Sequence, residues 1–159
     1  MFRVNKLTDY ATVVLIEIAR SPIVRSSQQI ADQTGIPLPT VAKLMKGLNK
    51  AGLVDSRRGA GGGYFLGRPA ADITLADVIQ AVEGPIALTA CADTSEETCC
   101  IESVCPVQGK WNKANSAVRA ALSEVTLADM VEDMCAFGRS APEPRSTQPK
   151  PVSRPAAAK

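Results

Sequence analysis

The sequence predicts a mainly α-helical fold carrying one small β-hairpin, and three observations lead there. Aromatic residues make up only 4% of the 159 while hydrophobic ones reach 45%, so the core must come from Ala, Val, Ile and Leu, which favours helices over an aromatic-rich β-sandwich. Apolar residues recur at helical spacing through most of the segments bounded by Gly and Pro. The exception is a pair of short β-type runs flanking the glycine-dense turn RRGAGGG. The length suits one compact domain with an appendage.

A first helix is marked by Leu7, Tyr10, Ala11, Val14, Leu15 and Ile18, which follow the spacing of one helical face. Val13 and Ile16 lie on another side near Asp9, so burial on two faces is expected, as in an interface helix. Ser26 and Gln29 form a capping box and Gly35 suits the C′ position, which sets a short second helix over 27–34. Pro39 fits the first turn of a third helix, where its missing N–H is harmless, and Gly52 closes that helix. Its inner stripe is Val41, Leu44, Met45 and Leu48, and its opposite side carries Lys43, Lys46, Gly47 and Lys50, with Thr40 at the flank. Leu53 to Asp55 and Tyr64 to Leu66 form the hairpin. Thr74 with Asp77 caps a fourth helix bearing Leu75, Val78, Ile79 and Val82, which Gly84-Pro85 ends. A cysteine-rich loop follows. From Val107 a long helix is expected, with Trp111, Ala114, Val118 and Leu122 in one stripe. Thr126 with Asp129 starts a short terminal helix carrying Leu127, Met130 and Val131.

Several function classes are excluded or disfavoured. With no His, the chain lacks the commonest general base and any Ser-His or Cys-His nucleophile pair, so hydrolytic catalysis and a small-molecule substrate are not expected. No apolar run reaches the about 18 residues of a membrane span. The start MFRVNKLTDYA lacks the order of a secretory signal, so the expected location is the cytoplasm, with no membrane partner.

The net charge of +2 conceals a segregation. Residues 1–68 hold ten Lys and Arg against four Asp and Glu, residues 69–138 hold three against eleven, and residues 139–159 hold five against one. A basic segment beside an acidic one points to a polyanion-binding face confined to one part of the molecule. The final segment contains five of the eleven prolines and a single large apolar residue, Val152, so it is expected to be a disordered basic tail.

Two short helices joined by a tight turn and followed by a hairpin give a winged helix-turn-helix, and with it a double-stranded DNA partner. The third helix would enter a major groove about 12 Å wide while Lys43, Lys46 and Lys50 neutralise flanking phosphates. The amides near Ser27 and Gln28, at the start of the second helix, would hold a phosphate, and Pro39 and Thr40 open the reading helix. At the hairpin tip Arg57 and Arg58 precede glycines that let the backbone approach the duplex while a guanidinium enters the minor groove. Arg58 is the principal wing residue expected.

Four of the five cysteines fall in one loop: Cys91, Cys99, Cys100 and Cys105. Disulfides are disfavoured in a reducing cytosol, which leaves metal binding, redox chemistry or burial. Burial suits Cys135 beside Met134 and Phe137, whereas Asp93, Glu96, Glu97 and Glu102 give the loop a polar character. Thiolates at this density suit zinc or an iron-sulfur cluster, either 2Fe-2S or 4Fe-4S. Neighbouring side chains seldom reach one metal together. The expected ligands are therefore Cys91, Cys99 and Cys105, with Cys100 as a substitute for Cys99. A zinc site would need all four cysteines or a carboxylate, and the alternative reading is accordingly a zinc-stabilised winged-helix structural or protein-interaction module.

The stretches LTDYA and QQIADQTGIPLPTVAKLMKGLNKAGLVDSRRGAGGGYFLGRP, together with the cysteine loop, resemble the IscR/NsrR-type winged-helix repressors of the Rrf-two family over about residues 1–134. The likeness is greatest to members that regulate SUF-type iron-sulfur assembly operons. It implies a homodimer whose long helix crosses its partner, with two wings and two reading helices on one palindromic operator. It also implies three cysteine ligands to a cluster that senses cluster supply or oxidant. IscR-like members take a fourth ligand from a His shortly after the third cysteine, but Gln108 stands there. NsrR-like members use a carboxylate from the first helix of the other subunit, a position matched by Asp9, with Glu102 as a local competitor. Where IscR carries a base-contacting glutamate this sequence has Ala42, so that operator preference is not implied. The organisation expected is a DNA-binding domain at 1–85, a cluster-binding loop at 86–106, the dimerisation and terminal helices at 107–138, and the tail at 139–159.

Overall fold

Local signals in the chain set most of the helix ends. The structure, a computed structural model, describes residues 4–59, 61–89, 92, 105–107 and 109–136, with the side chains of the last four outside the description. The Asn5 side chain accepts from the Leu7 N–H and starts α1 (Lys6–Ala19). Ser26 and Gln29 form the expected reciprocal capping box on α2 (Ser27–Thr34), and Gly35, at φ 70°, closes it in the left-handed conformation. In α3 (Leu38–Lys50) Pro39 occupies the first turn, and Gly52 follows the last at φ 71°.

Strands β1 (Val54–Arg57) and β2 (Gly63–Leu66) pair antiparallel with Val54 opposite Leu66 and Arg57 opposite Gly63. A feature absent from the sequence reading joins this wing to the helices. Arg25, just before α2, bridges Tyr64 through N–H···O bonds of 3.0 and 2.7 Å. The bridge depends on Gly63, because a Cβ there would collide with the Arg25 carbonyl. The wing is thus anchored at its root to the entrance of α2.

A short 3-10 turn at Ala70–Asp72 leads to α4 (Leu75–Glu83), and α5 (Asn112–Glu124) and α6 (Leu127–Ala136) follow the cysteine segment. Leu15, Ile30, Met45, Leu48, Leu53 and Ile73 are fully buried in one core shared by α1 to α4 and the hairpin. Leu127 joins the same core at 2% exposure, with Met130 and Val131 packed on it, so α6 folds back onto the helix-turn-helix. The long helix expected from Val107 is shorter: Val107, Gly109 and Lys110 lie in turns, Gly109 adopts φ 67°, and α5 begins at Asn112. The left-handed backbone at Gly109 breaks the helical path just before Trp111, which becomes the residue preceding the first turn. Among the described residues no helix is long and apolar enough to cross a membrane.

Candidate nucleic-acid interface

Helix α3 divides its residues sharply. Val41, Leu44, Met45 and Leu48 are buried against the core, while Pro39, Ala42, Lys43, Lys46 and Lys50 are exposed and Thr40 is half-buried. Gly47 differs from its expected place on the outer face. It is half-buried, and a Cβ on it would sit 3.7 Å from the Ala81 carbonyl, so it serves the crossing of α3 and α4. Among the described residues the one salt bridge is Arg68 to Asp77 at 2.8 Å. The lysines of α3 therefore present their charge to solvent.

At the start of α2, Ser27 is half-buried and Gln28 is exposed, its amide donating to the Asp32 carboxylate at 2.8 Å. The Ser26 hydroxyl takes the Gln29 N–H, leaving the amides of Ser27 and Gln28 at the helix end with its partial positive charge. These groups and the α3 lysines lie on the two successive helices of the motif.

The wing separates its two arginines. Arg57 belongs to β1 and shares a strand face with Asp55 and Phe65, where it lines an open cleft of about 420 Å³ with Ile18, Ile23 and Phe65. Arg58 lies beyond the strand in the turn and is exposed. Backbone sterics fix that turn: Gly62 donates to the Gly59 carbonyl at 2.9 Å, and a Cβ on Gly62 would collide with the Arg57 carbonyl.

Of the expected cluster ligands, Cys91, Cys99 and Cys100 lie outside the described residues, as do Glu102 and Gln108. Cys105 is half-buried with a free thiol, and Asp9 is exposed in the first turn of α1. Among the described residues no three His, Cys, Asp or Glu side chains gather as a metal site. Cys105 suits thiolate ligation in its donor chemistry, while the geometry of a complete ligand set lies beyond the described residues.

The structure also reveals how the root of the cysteine loop is held. Asn115, buried on α5, donates to the Ile86 carbonyl at 3.2 Å and accepts from the Leu88 N–H at 3.0 Å. Glu83, at the end of α4, accepts from the Asn5 N–H at 3.1 Å and from the Thr8 hydroxyl. A carboxylate at a helix start is favoured by the helix dipole. Through Glu83, the turn of α1 that bears Asp9 adjoins the point where the loop leaves α4. No periodicity marks either residue, and an Asn within an alanine-rich helix reads as a surface position, so both were missed.

On α5 the expected stripe splits. Trp111 is 45% exposed and Ala114 is exposed, whereas Val118 and Leu122 are half-buried. Ala117, Ala121 and Val125 are exposed as well, so an apolar, mostly small stripe runs along the outward side of the helix beside Lys113, Ser116, Ser123 and Glu124.

Comparison with known proteins fits this geometry. CymR, the global cysteine regulator of B. subtilis, is 29% identical with a TM-score of 0.64, the match covering 84% of this chain and 98% of that one. IscR of T. potens is 29% identical with a TM-score of 0.62, over 87% of this chain and 93% of that one. The oxidized form of Staphylococcus aureus CymR is 29% identical with a TM-score of 0.60, covering 82% and 97% of the two chains. The sequence model of Rrf2, described as an iron-dependent transcriptional regulator, matches residues 4–133. With its helix-turn-helix, its wing and that match, the chain belongs to the Rrf2 family of DNA-binding transcriptional regulators, which are not enzymes.

Proposed function

We propose that the protein is a dimeric, sequence-specific transcription regulator whose affinity for its operator depends on an iron-sulfur cluster, and that it controls iron-sulfur assembly genes of the SUF type. The observation that carries the reading is the pairing of an exposed lysine face on α3 and an exposed Arg58 on the wing with a cysteine-rich segment whose first residues, Ile86 and Leu88, are hydrogen-bonded to α5. In this reading Ser27, Gln28, Lys43, Lys46 and Arg57 position the phosphate backbone, Pro39 and Thr40 open the reading helix, and Arg58 enters the minor groove.

The exposed apolar side of α5 supports assembly as a homodimer, with Trp111, Ala114, Val118 and Leu122 as the proposed contacts. Cys91, Cys99 and Cys105 would supply three thiolates, and Asp9 of the other subunit the fourth donor, to a cluster whose presence reports iron-sulfur supply or oxidant. Asn115 fixes one end of the ligand loop to α5, and within the same subunit Glu83 ties the start of α1 to the end of α4. Loss of the tie between loop and α1 would alter the spacing of the two reading helices, to which a two-half-site operator is sensitive.

The test is operator titration with anaerobically purified protein, before and after cluster removal, together with absorption spectra and iron and sulfide counts. A coupling of about 1–3 kcal/mol would change affinity about 5- to 150-fold. Cys105→Ser should abolish the cluster and shift affinity as strongly as its chemical removal. Equal affinity of the two forms would reject the cluster as the switch. Colourless protein with stoichiometric zinc would support the zinc-module reading instead.

A further inference from the structure

Resting on the DNA-binding reading, the further inference concerns what the protein reads. The first turns of α3, the end of a reading helix that reaches base edges in a helix-turn-helix, present apolar groups to solvent. Leu38 is 39% exposed, and Pro39 and Ala42 are exposed. Leu38 and Ala42, four residues apart, share one side of the helix, and Pro39 lies beside them. The polar groups nearby are poorly placed for base-edge hydrogen bonds. Thr40 is half-buried, and the Gln28 amide is held by Asp32. Lys43, Lys46 and Lys50 border the apolar patch with charge suited to phosphates. An apolar patch bordered by cations matches the major groove, where the lysines meet phosphates and thymine alone presents a methyl group.

We infer that Leu38 and Ala42 are specificity-determining residues that read thymine C5-methyl groups, so that each half-site is selected by methyl contact in place of bidentate hydrogen bonding. Pro39 stiffens the turn that carries them, because its ring fixes φ and its position in the first turn sacrifices no helical hydrogen bond. The signal was present in the sequence only in disguise. Leu38 falls three residues before Val41, a spacing shared with the inner stripe, yet at the helix start it is 39% exposed.

The experiment begins with full-length protein and a random duplex library. The enriched site is then resynthesised with deoxyuridine at single thymidine positions, which removes one methyl and leaves every hydrogen-bonding group in place. Affinity should fall about fourfold at one or two positions per half-site, the factor corresponding to about 0.8 kcal/mol per buried methyl. In Leu38→Ala the thymine and uracil sites should bind alike at one of those positions, while the circular dichroism spectrum and dimer mass stay those of the wild type. Indifference of the wild type to uracil everywhere would overturn the inference and leave DNA binding intact. Discrimination that persists undiminished in Leu38→Ala and in Ala42→Gly would also overturn it. A library from which no sequence is enriched would reject the DNA-binding reading itself, and this inference with it.

Discussion

Thr74 and Thr126 face each other across an antiparallel bridge, although each is also the capping residue of a helix start. The Leu75 N–H donates to Val125 at 3.0 Å and the Leu127 N–H to Ile73 at 2.8 Å. Both threonines open the same four letters, TLAD, and in both copies the threonine N–H donates to the aspartate carboxylate. A capping residue holds extended backbone, so two caps can pair as strands do. The bridge fastens α6 to α4 at their first turns. Thr126→Ala should lower unfolding free energy by about 1 kcal/mol, the usual cost of a lost cap, and Thr126→Ser should restore most of it in the same urea titration.

The same contact predicts a pH dependence. The Thr126 hydroxyl and N–H donate to the Asp129 carboxylate at 2.7 and 2.9 Å and hold its pKa below the ordinary 3.8. A carboxyl depressed in the folded state contributes its stability above the unfolded pKa and loses it as pH falls through the folded one. The relevant window therefore lies below pH 3.8. Carboxyl NMR titration should show the Asp129 midpoint rising towards the ordinary value in Thr126→Ala. An unchanged midpoint would mean that the hydroxyl is not the cause.

At the wing, Gly63→Ala should cost about 1–3 kcal/mol, the range for a backbone forced into an unfavourable arrangement. Its φ is 156°, and the new methyl would meet the Arg25 carbonyl and lie 2.8 Å from the Ser26 nitrogen. A Cβ on Gly61 would meet nothing within 4 Å, so Gly61→Ala should stay within about 0.5 kcal/mol of the wild type. Equal melting temperatures for the two variants would refute the assigned role of the Arg25–Tyr64 bridge.

Asn115→Leu removes the two hydrogen bonds that fasten Ile86 and Leu88 to α5. The expected destabilisation is about 1–3 kcal/mol. Hydrogen exchange should accelerate at Leu88 more than at core amides such as Leu48. Uniform acceleration across the chain would show that Asn115 supports the whole fold and not the loop root.

DNA titrations over a range of salt should distinguish α3 from the wing. Lys46→Ala is expected to weaken binding to all sequences alike and to reduce the magnitude of the salt slope by about 0.9 for its one phosphate contact. Arg58→Ala should instead reduce discrimination among A/T-rich flanks. If Arg58→Ala leaves operator affinity and footprint unchanged at moderate salt, the wing assignment falls.

Sequence alone determined the elements whose physics is local. The α2 bounds follow from Ser26, Gln29 and Gly35, because a capping side chain and a left-handed glycine act within one turn of the residues they stop. The inner stripe of α3 followed from its period, and the hairpin from the glycines that its turn requires. Tertiary structure decided what depends on partners distant in the chain. Gly47 reads as an open spot in a groove-facing helix until α4 is seen crossing it, and the exposure of Leu38 is set by where the first turn of α3 lies against the core. The Asn115 and Glu83 contacts span 27 to 78 residues, and no spacing rule along one helix encodes a hydrogen bond whose two ends meet only after the chain has packed.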